Sequence, residues 1–255
     1  MMAVLRMETR DVLAKVKLVL CDVDGTLTID RDTYNLHPEV VRYVRILEDG
    51  GVKVGLVSGN ALPVLFGLAK YLGCSGGLAA ENGSVILYGD EIIVTCPICG
   101  EVLKIADLVE KEVCDVAWRT WQDRYRLCDA AFKVKGSLSY DELAKVIDGV
   151  IKRLGYGDLI QVRSSGFAVH LIPKGCGKHL GALKLMELNG VNRGETLAIG
   201  DSVTDLELLQ VVGVPVAVSN ADEELKKVAL IVTSKPSGEG FVELARSILR
   251  AKGLL

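Results

Sequence analysis

No excess of charge of either sign marks this chain of 255 residues, in which 30 Lys and Arg stand against 33 Asp and Glu for a net charge of −3. That balance provides no electrostatic footprint for nucleic acid or an anionic membrane. Also missing is any apolar run of membrane-spanning length, and residues 1–16 carry acidic side chains where a secretory signal would carry an apolar core. A cytoplasmic protein with no nucleic-acid or membrane partner is the expectation. Histidine is scarce: His37, His170 and His179 do not form a ligand set and read as structural. Glutamine is scarcer than usual, present only as Gln122, Gln161 and Gln210, a weak thermophile signature.

Cysteine is present but unpatterned. The odd count of seven, scattered through an α/β text, argues for reduced thiols. Only Cys96-Pro97-Ile98-Cys99 has metal or redox spacing, with a local disulfide or a zinc site as the alternatives to idle thiols. In a thermophile an intracellular disulfide is less unusual.

Strand-like and helical runs alternate in two separated blocks. The first has strands at 17–21, 52–57 and 78–80 with helices at 38–49 and 61–72 between them; the second has a helix at 178–188, a strand at 196–199, and strands at 214–218 and 230–232 among short helices. Such alternation predicts a Rossmann-like doubly wound parallel sheet covered on both faces, formed by 1–86 and 173–255. Between the blocks the texture turns α+β, with strands at 91–94, 130–135 and 167–172 and helices at 100–115 and 140–154. Ser139 and Glu142 have the spacing of a capping box at the second helix. Residues 87–172 therefore read as an inserted α+β cap domain.

Four pieces at strand ends or helix starts carry candidate chemistry. Asp22-Val23-Asp24-Gly25-Thr26 closes the first apolar strand, where an open α/β sheet places its ligand. Two carboxylates there need a partner when desolvated, and a divalent cation is the simplest. Gly25 permits a tight turn and Thr26 a bond back to the backbone. Val57-Ser58-Gly59-Asn60 closes another strand and opens a helix, an arrangement that serves as an anion site or as a plain helix cap. Lys178 opens a helix, where a cation opposes the macrodipole unless an anion lies beside it. Asp201 follows a strand and Asp205 lies one helical turn on, so both can face one point, and Mg²⁺ suits two or three carboxylates.

In this order the four pieces resemble the motifs of the haloacid dehalogenase superfamily of phosphohydrolases, and the insertion between the Ser and Lys pieces resembles a type II cap. More narrowly, the chain is similar to archaeal phosphoglycolate phosphatases, with supporting text in Ala80-Glu81-Asn82-Gly83 and Ala217-Val218-Ser219-Asn220-Ala221. The departures are His179, where that group usually has Gly, and the long lead of residues 1–16. The resemblance implies a Mg²⁺-dependent phosphatase in which Asp22 attacks phosphorus to form an aspartyl-phosphate and Asp24 is general acid and base. Asp22, the Asp24 carbonyl, Asp201 and Asp205 would hold the ion, Ser58, Gly59 and Lys178 the phosphate, and Asn220 would stand behind them or cap a helix. A dehalogenase has no alkoxide to protonate, so Asp24 points to phosphate esters. The implied substrate is a small phosphorylated acid or sugar, 2-phosphoglycolate first. The alternatives are another sugar-phosphate phosphatase, a phosphomutase or a non-catalytic phosphate-ligand-binding protein. In the cap, one of Arg119, Arg124, Arg126 or Arg163 is expected to meet the substrate carboxylate.

Overall fold

The apolar strands are arranged around β1 (Leu18–Cys21), whose four residues are all buried. In the computed structural model, which describes residues 9–255, β1 pairs in parallel with β2 (Lys53–Val57) on one side and β10 (Thr196–Gly200) on the other. The sheet extends through β3 (Leu78–Ala80) in one direction and through β11 (Val214–Ala217) and β12 (Ile231–Val232) in the other, all parallel. Chain order thus reverses between β1 and β10, and the crevice beyond their carboxyl ends is the switch point at which such sheets bind ligands. Residues past β1 and β10 are therefore brought together from opposite ends of the chain.

The outer strands β4 (Val85–Tyr88) and β5 (Glu91–Val94) add to β3 antiparallel, completing an eight-stranded mixed sheet. The start of the 87–172 segment accordingly lies in the large sheet, because a short turn at residues 89–90 folds β5 back on β4. Helix α1 (Pro38–Asp49) and helix α2 (Leu62–Leu72) follow the first two strands. The lead into β1 is partly structural: Leu13 and Val16 are buried in the core, while residues 1–8 of the 1–16 lead lie outside the described residues.

The cap insertion carries a separate antiparallel sheet in the order β6 (Ala117–Arg119), β7 (Ala130–Val134), β9 (Val169–Pro173), β8 (Ile160–Ser164). Helices α3 (Cys99–Val113) and α4 (Tyr140–Arg153) pack on it around their own apolar cluster. In α4, Leu143, Ile147, Val150 and Ile151 recur at helical spacing and are buried. Its capping box is formed, with Glu142 N–H donating to Ser139 Oγ at 3.2 Å and Ser139 N–H to Glu142 Oε2 at 2.8 Å.

Helix α5 (Lys178–Asn189) returns the chain to the large sheet. Two brief helices, α6 (Leu206–Val211) and α7 (Glu223–Val228), precede the last one, α8 (Ser237–Ala251). At 15 residues α8 is not the short element expected, because Phe241, Leu244, Ala245 and Ile248 give it a continuous buried face against α1.

The expectation of reduced thiols is corrected for four cysteines. Cys96 bonds to Cys176 and Cys99 to Cys128, leaving Cys21, Cys74 and Cys114 free. The Cys-Pro-Ile-Cys spacing suggested a local partner or a metal, but each cysteine finds a distant one because the chain leaves and re-enters the core at one place. The Cys96–Cys176 bond joins those two connections across 80 residues. Loop entropy for a cross-link of that length is worth about 4.5 kcal/mol, within the range of about 2–5 kcal/mol that losing a native disulfide costs. Alkylation in denaturant without reductant should label three thiols, rising to seven after reduction, and Cys96→Ser should lower unfolding free energy by about 2–5 kcal/mol. Seven labelled thiols before reduction would contradict the pairing.

Candidate active site

Asp22 follows β1 and Asp201 follows β10, so the register of those two strands fixes the separation of their carboxylates. Asp22 N–H donates to Ile199 O at 3.0 Å, locking the turn. Two glycines make the approach possible. Gly25 has φ +89°, and a methyl group there would collide with the Asp201 carboxylate; a methyl group on Gly200 would stand 2.6 Å from Asp205. Thr26 bonds not to the backbone, as expected, but across to Asp201 Oδ1 at 3.3 Å and Asp22 Oδ2 at 3.4 Å. Ligand oxygens of Asp22, Asp201 and Asp205 all lie within 4.8 Å of one another, and all three residues are buried.

Lys178, the first residue of α5, is buried with its Nζ 2.6 Å from Asp22 Oδ1 and 2.6 Å from Asp205 Oδ1. Those carboxylates resolve the conflict with the helix dipole. Burial works against the Lys178 charge, but Asp205 and Asp22 outweigh it and hold its pKa above the ordinary value. Asp205 Oδ2 also accepts the N–H groups of Asp201 (3.1 Å) and Ser202 (3.2 Å), so Asp205 braces the loop as well as the lysine. Arg31 adds a second cation, with Nε 2.7 Å from Asp201 Oδ2 and Nη1 2.9 Å from Asp222 Oδ1.

The balance remains acidic. Burial, then Asp205, raises the Asp22 carboxyl above its ordinary pKa despite Lys178, and the same two causes push Asp201 up to about 7 despite Arg31. Clustered hard oxygen donors short of positive charge are what Mg²⁺ takes, so these residues fit that ion.

Asp24 points elsewhere. Its carboxylate is outside the three-carboxylate cluster, and Oδ2 accepts from Asn60 Nδ2 at 2.8 Å. Burial raises its pKa, opposed by Asn60, Lys178, Lys133 and His170. Two carboxylates one residue apart thus sit in different environments, which suits two chemical roles. Ser58 is buried, and its Oγ accepts from Asn60 N (3.1 Å) and Nδ2 (3.0 Å); neither residue caps α2, whose N-cap is Ala61.

A cavity of about 620 Å³ opens between this edge and the cap. Asp22, Asp24, Ser58, Gly59, Lys178, Asp201 and Asn220 line it, whereas Asp205 lies beneath. Asn220 does not cap the helix that follows it, α7, whose N-cap is Asp222; its side chain instead pairs with Ser237 at the start of α8, accepting from Ser237 N and donating to Oγ, each at 3.0 Å. His179 does not line the cavity; its Nδ1 is 3.0 Å from Glu207.

The expected cap arginines are already engaged or elsewhere. Arg119 pairs with Asp107 and Asp123, and Arg163 with Glu207; neither lines the cavity. Arg124 is exposed on a different surface of the cap. Arg126 does line the cavity but is buried between Asp123 and Asp129. Lys133, on β7, is the cavity cation whose partners are neutral: Tyr34 Oη at 3.0 Å and the carbonyl of Phe167. A lysine breaking the apolar run Ala130-Ala131-Phe132 was the signal that sequence reading passed over, as were Arg31 and Gln122.

Most of the chain matches known proteins. The family model described as haloacid dehalogenase-like hydrolase matches residues 19–142 and 128–244. A phosphoglycolate phosphatase of Staphylothermus marinus is 42% identical over 237 residues, covering 92% of this chain and 98% of that relative. Phosphoglycolate phosphatase 1 of Saccharolobus solfataricus is 40% identical, covering 93% and 97%. A crystal structure from Thermoplasma acidophilum superposes with a TM-score of 0.77 at 26% identity, covering 94% of this chain and 99% of that one. The chain belongs to the haloacid dehalogenase-like hydrolases. Within them it is a phosphoglycolate phosphatase-like hydrolase.

Beside the cavity, Glu81 has φ +51° and its carboxylate accepts the N–H groups of Leu127, Cys128 and Asp129 at 2.7–3.1 Å, tying the core to the cap. Burial and Asp129 push its pKa up to about 7 against those donors. A carboxyl that holds its proton more tightly when folded makes stability fall as pH rises, here from the ordinary carboxylate range to about 7. Glu81→Gln should make that part of the melting-temperature profile less steep, Asp201 also contributing; an unchanged slope would remove Glu81 as a cause.

Proposed function

We propose that this enzyme is a Mg²⁺-dependent phosphomonoester hydrolase acting through an aspartyl-phosphate, with 2-phosphoglycolate as substrate. The observation that carries the reading is the division of labour at the end of β1. Asp22 lies against Lys178 at 2.6 Å, and Asp24 stands apart on Asn60 at 2.8 Å, both facing one cavity.

Asp22 attacks phosphorus in line with the leaving oxygen, and its Oδ becomes the bridging atom of the aspartyl-phosphate. Asp24 gives its proton to the departing alkoxide, then takes one from the water that hydrolyses the intermediate. Lys178, already charged, holds the non-bridging oxygens beside the Ser58 hydroxyl, whose proton is free because its oxygen serves as acceptor. Asp22, Asp201 and the Asp24 carbonyl would hold Mg²⁺ with Asp205 behind them, and the bound ion supplies the positive charge that lets a phosphate approach a carboxylate.

Lys133 is the group proposed to meet the substrate's carboxylate. An ammonium has three donors, and two are occupied by neutral oxygens, so one remains for an acid. The relatives named phosphoglycolate phosphatase, whose named substrate carries both a phosphate and a carboxylate, support the same reading.

Asp22→Asn should lower phosphate release by about 10⁴-fold or more. Lys133→Met should raise KM for 2-phosphoglycolate about 10- to 100-fold, the worth of a charge-assisted contact, while leaving KM for ethyl phosphate within about threefold. Equal effects on both esters would dismiss Lys133 as the carboxylate's partner, and turnover of the Asp22 variant near the wild-type rate would dismiss the nucleophile.

A further inference from the structure

The cap reaches the Asp24 carboxylate through a chain of hydrogen bonds in which every donor is fixed. Ala61 N–H donates to Gln122 Oε1 at 2.9 Å; Gln122 Nε2 donates to Asn60 Oδ1 at 3.0 Å; Asn60 Nδ2 donates to Asp24 Oδ2 at 2.8 Å. A side-chain amide can be turned around, but a backbone N–H can only donate. Ala61 therefore dictates which end of Gln122 faces it, and each link dictates the next. The second Asn60 hydrogen goes to Ser58 Oγ at 3.0 Å, so the Asn60 amide is satisfied at every position.

Gln122 comes from the cap, in the 3₁₀ turn Trp121–Tyr125, whereas Asn60, Ala61 and Asp24 are core residues. The same cap segment grips the core loop a second time, with Arg126 Nη2 donating to Gly59 O at 2.9 Å.

We propose that Gln122 is a positioning residue which, through Asn60, pins Asp24 Oδ2 as an acceptor and leaves Oδ1 to carry the catalytic proton toward the leaving oxygen. The inference rests on the phosphatase reading above. As the Asp22–phosphorus bond forms, the electron pair of the breaking ester P–O bond passes to the leaving oxygen, which takes the Oδ1 proton. Asp24 is then an anion that accepts a proton from the attacking water as the water oxygen bonds to phosphorus; the Asp22–phosphorus bond breaks, its electron pair returns to the Asp22 carboxylate, and inorganic phosphate leaves, restoring the starting state. With the cap undocked, Asn60 loses the donor that fixes its amide, so delivery of the proton is matched to the presence of the cap over the substrate.

Leaving-group dependence separates this role from a merely structural one. An alkoxide needs the proton and a p-nitrophenolate does not, and general-acid assistance is worth about 10²–10⁴-fold. Steady-state kcat/KM, which covers the steps through loss of the leaving group and not hydrolysis of the shared intermediate, would be measured on 2-phosphoglycolate and p-nitrophenyl phosphate for wild type, Gln122→Leu and Gln122→Glu. The glutamate is the same size but offers Asn60 an acceptor, which turns the Asn60 amide around and presents its oxygen to Asp24. Both variants should fall about tenfold or more on 2-phosphoglycolate relative to their fall on p-nitrophenyl phosphate. A proportional fall on both esters, or none on either, would overturn the positioning role. Absence of wild-type turnover on either ester would instead overturn the phosphatase reading itself.

Discussion

One buried ammonium sustains the site. Lys178 stands 2.6 Å from both Asp22 and Asp205, and without it two desolvated carboxylates would face each other at the end of the sheet. Removing one partner from such a group leaves uncompensated buried charge, at a cost of about 3–5 kcal/mol. Lys178 can hold this position because it opens α5, which returns from the cap directly onto the large sheet. The topology that reverses chain order between β1 and β10 brings Asp22 and Asp201 together, and the helix start supplies the cation between Asp22 and Asp205.

The cap adds a second layer of control. Arg119, Arg126 and Arg163 are spent on holding cap to itself and to the core, through Asp107, Asp123, Asp129, Glu207 and the Gly59 carbonyl. Glu81 fastens the entry to β7, and the Cys96–Cys176 bond fastens the connections between the two parts. Two polar cap side chains face the cavity with groups to spare or to place: Gln122 over the core loop and Lys133 between Tyr34 and Phe167.

Much of this was legible in the order of residues. Apolar runs ending in Asp22, Ser58 and Asp201 marked strand ends at one edge, because parallel buried strands are continuous apolar text. The cap was visible as a change of texture, and Ser139 with Glu142 announced the start of α4. What the text concealed depended on partners far away in sequence. Arginine clustered with aromatics looked available until Asp123 and Asp129 folded beside it. Cys96 gave no hint of Cys176, because the two meet only when the insertion closes on itself. Asn60 read as a helix cap, since its bonds to Asp24 and Gln122 span 36 and 62 positions.

The central physical claim is that three buried carboxylates from the two ends of the chain share one cation site. Calorimetric titration of the metal-stripped protein with Mg²⁺ tests it most directly. A single saturable binding event in wild type, abolished in Asp201→Asn while the variant stays folded, is the predicted result. Mg²⁺ binding that persists unchanged in Asp201→Asn, or its absence from the wild-type protein, would contradict it.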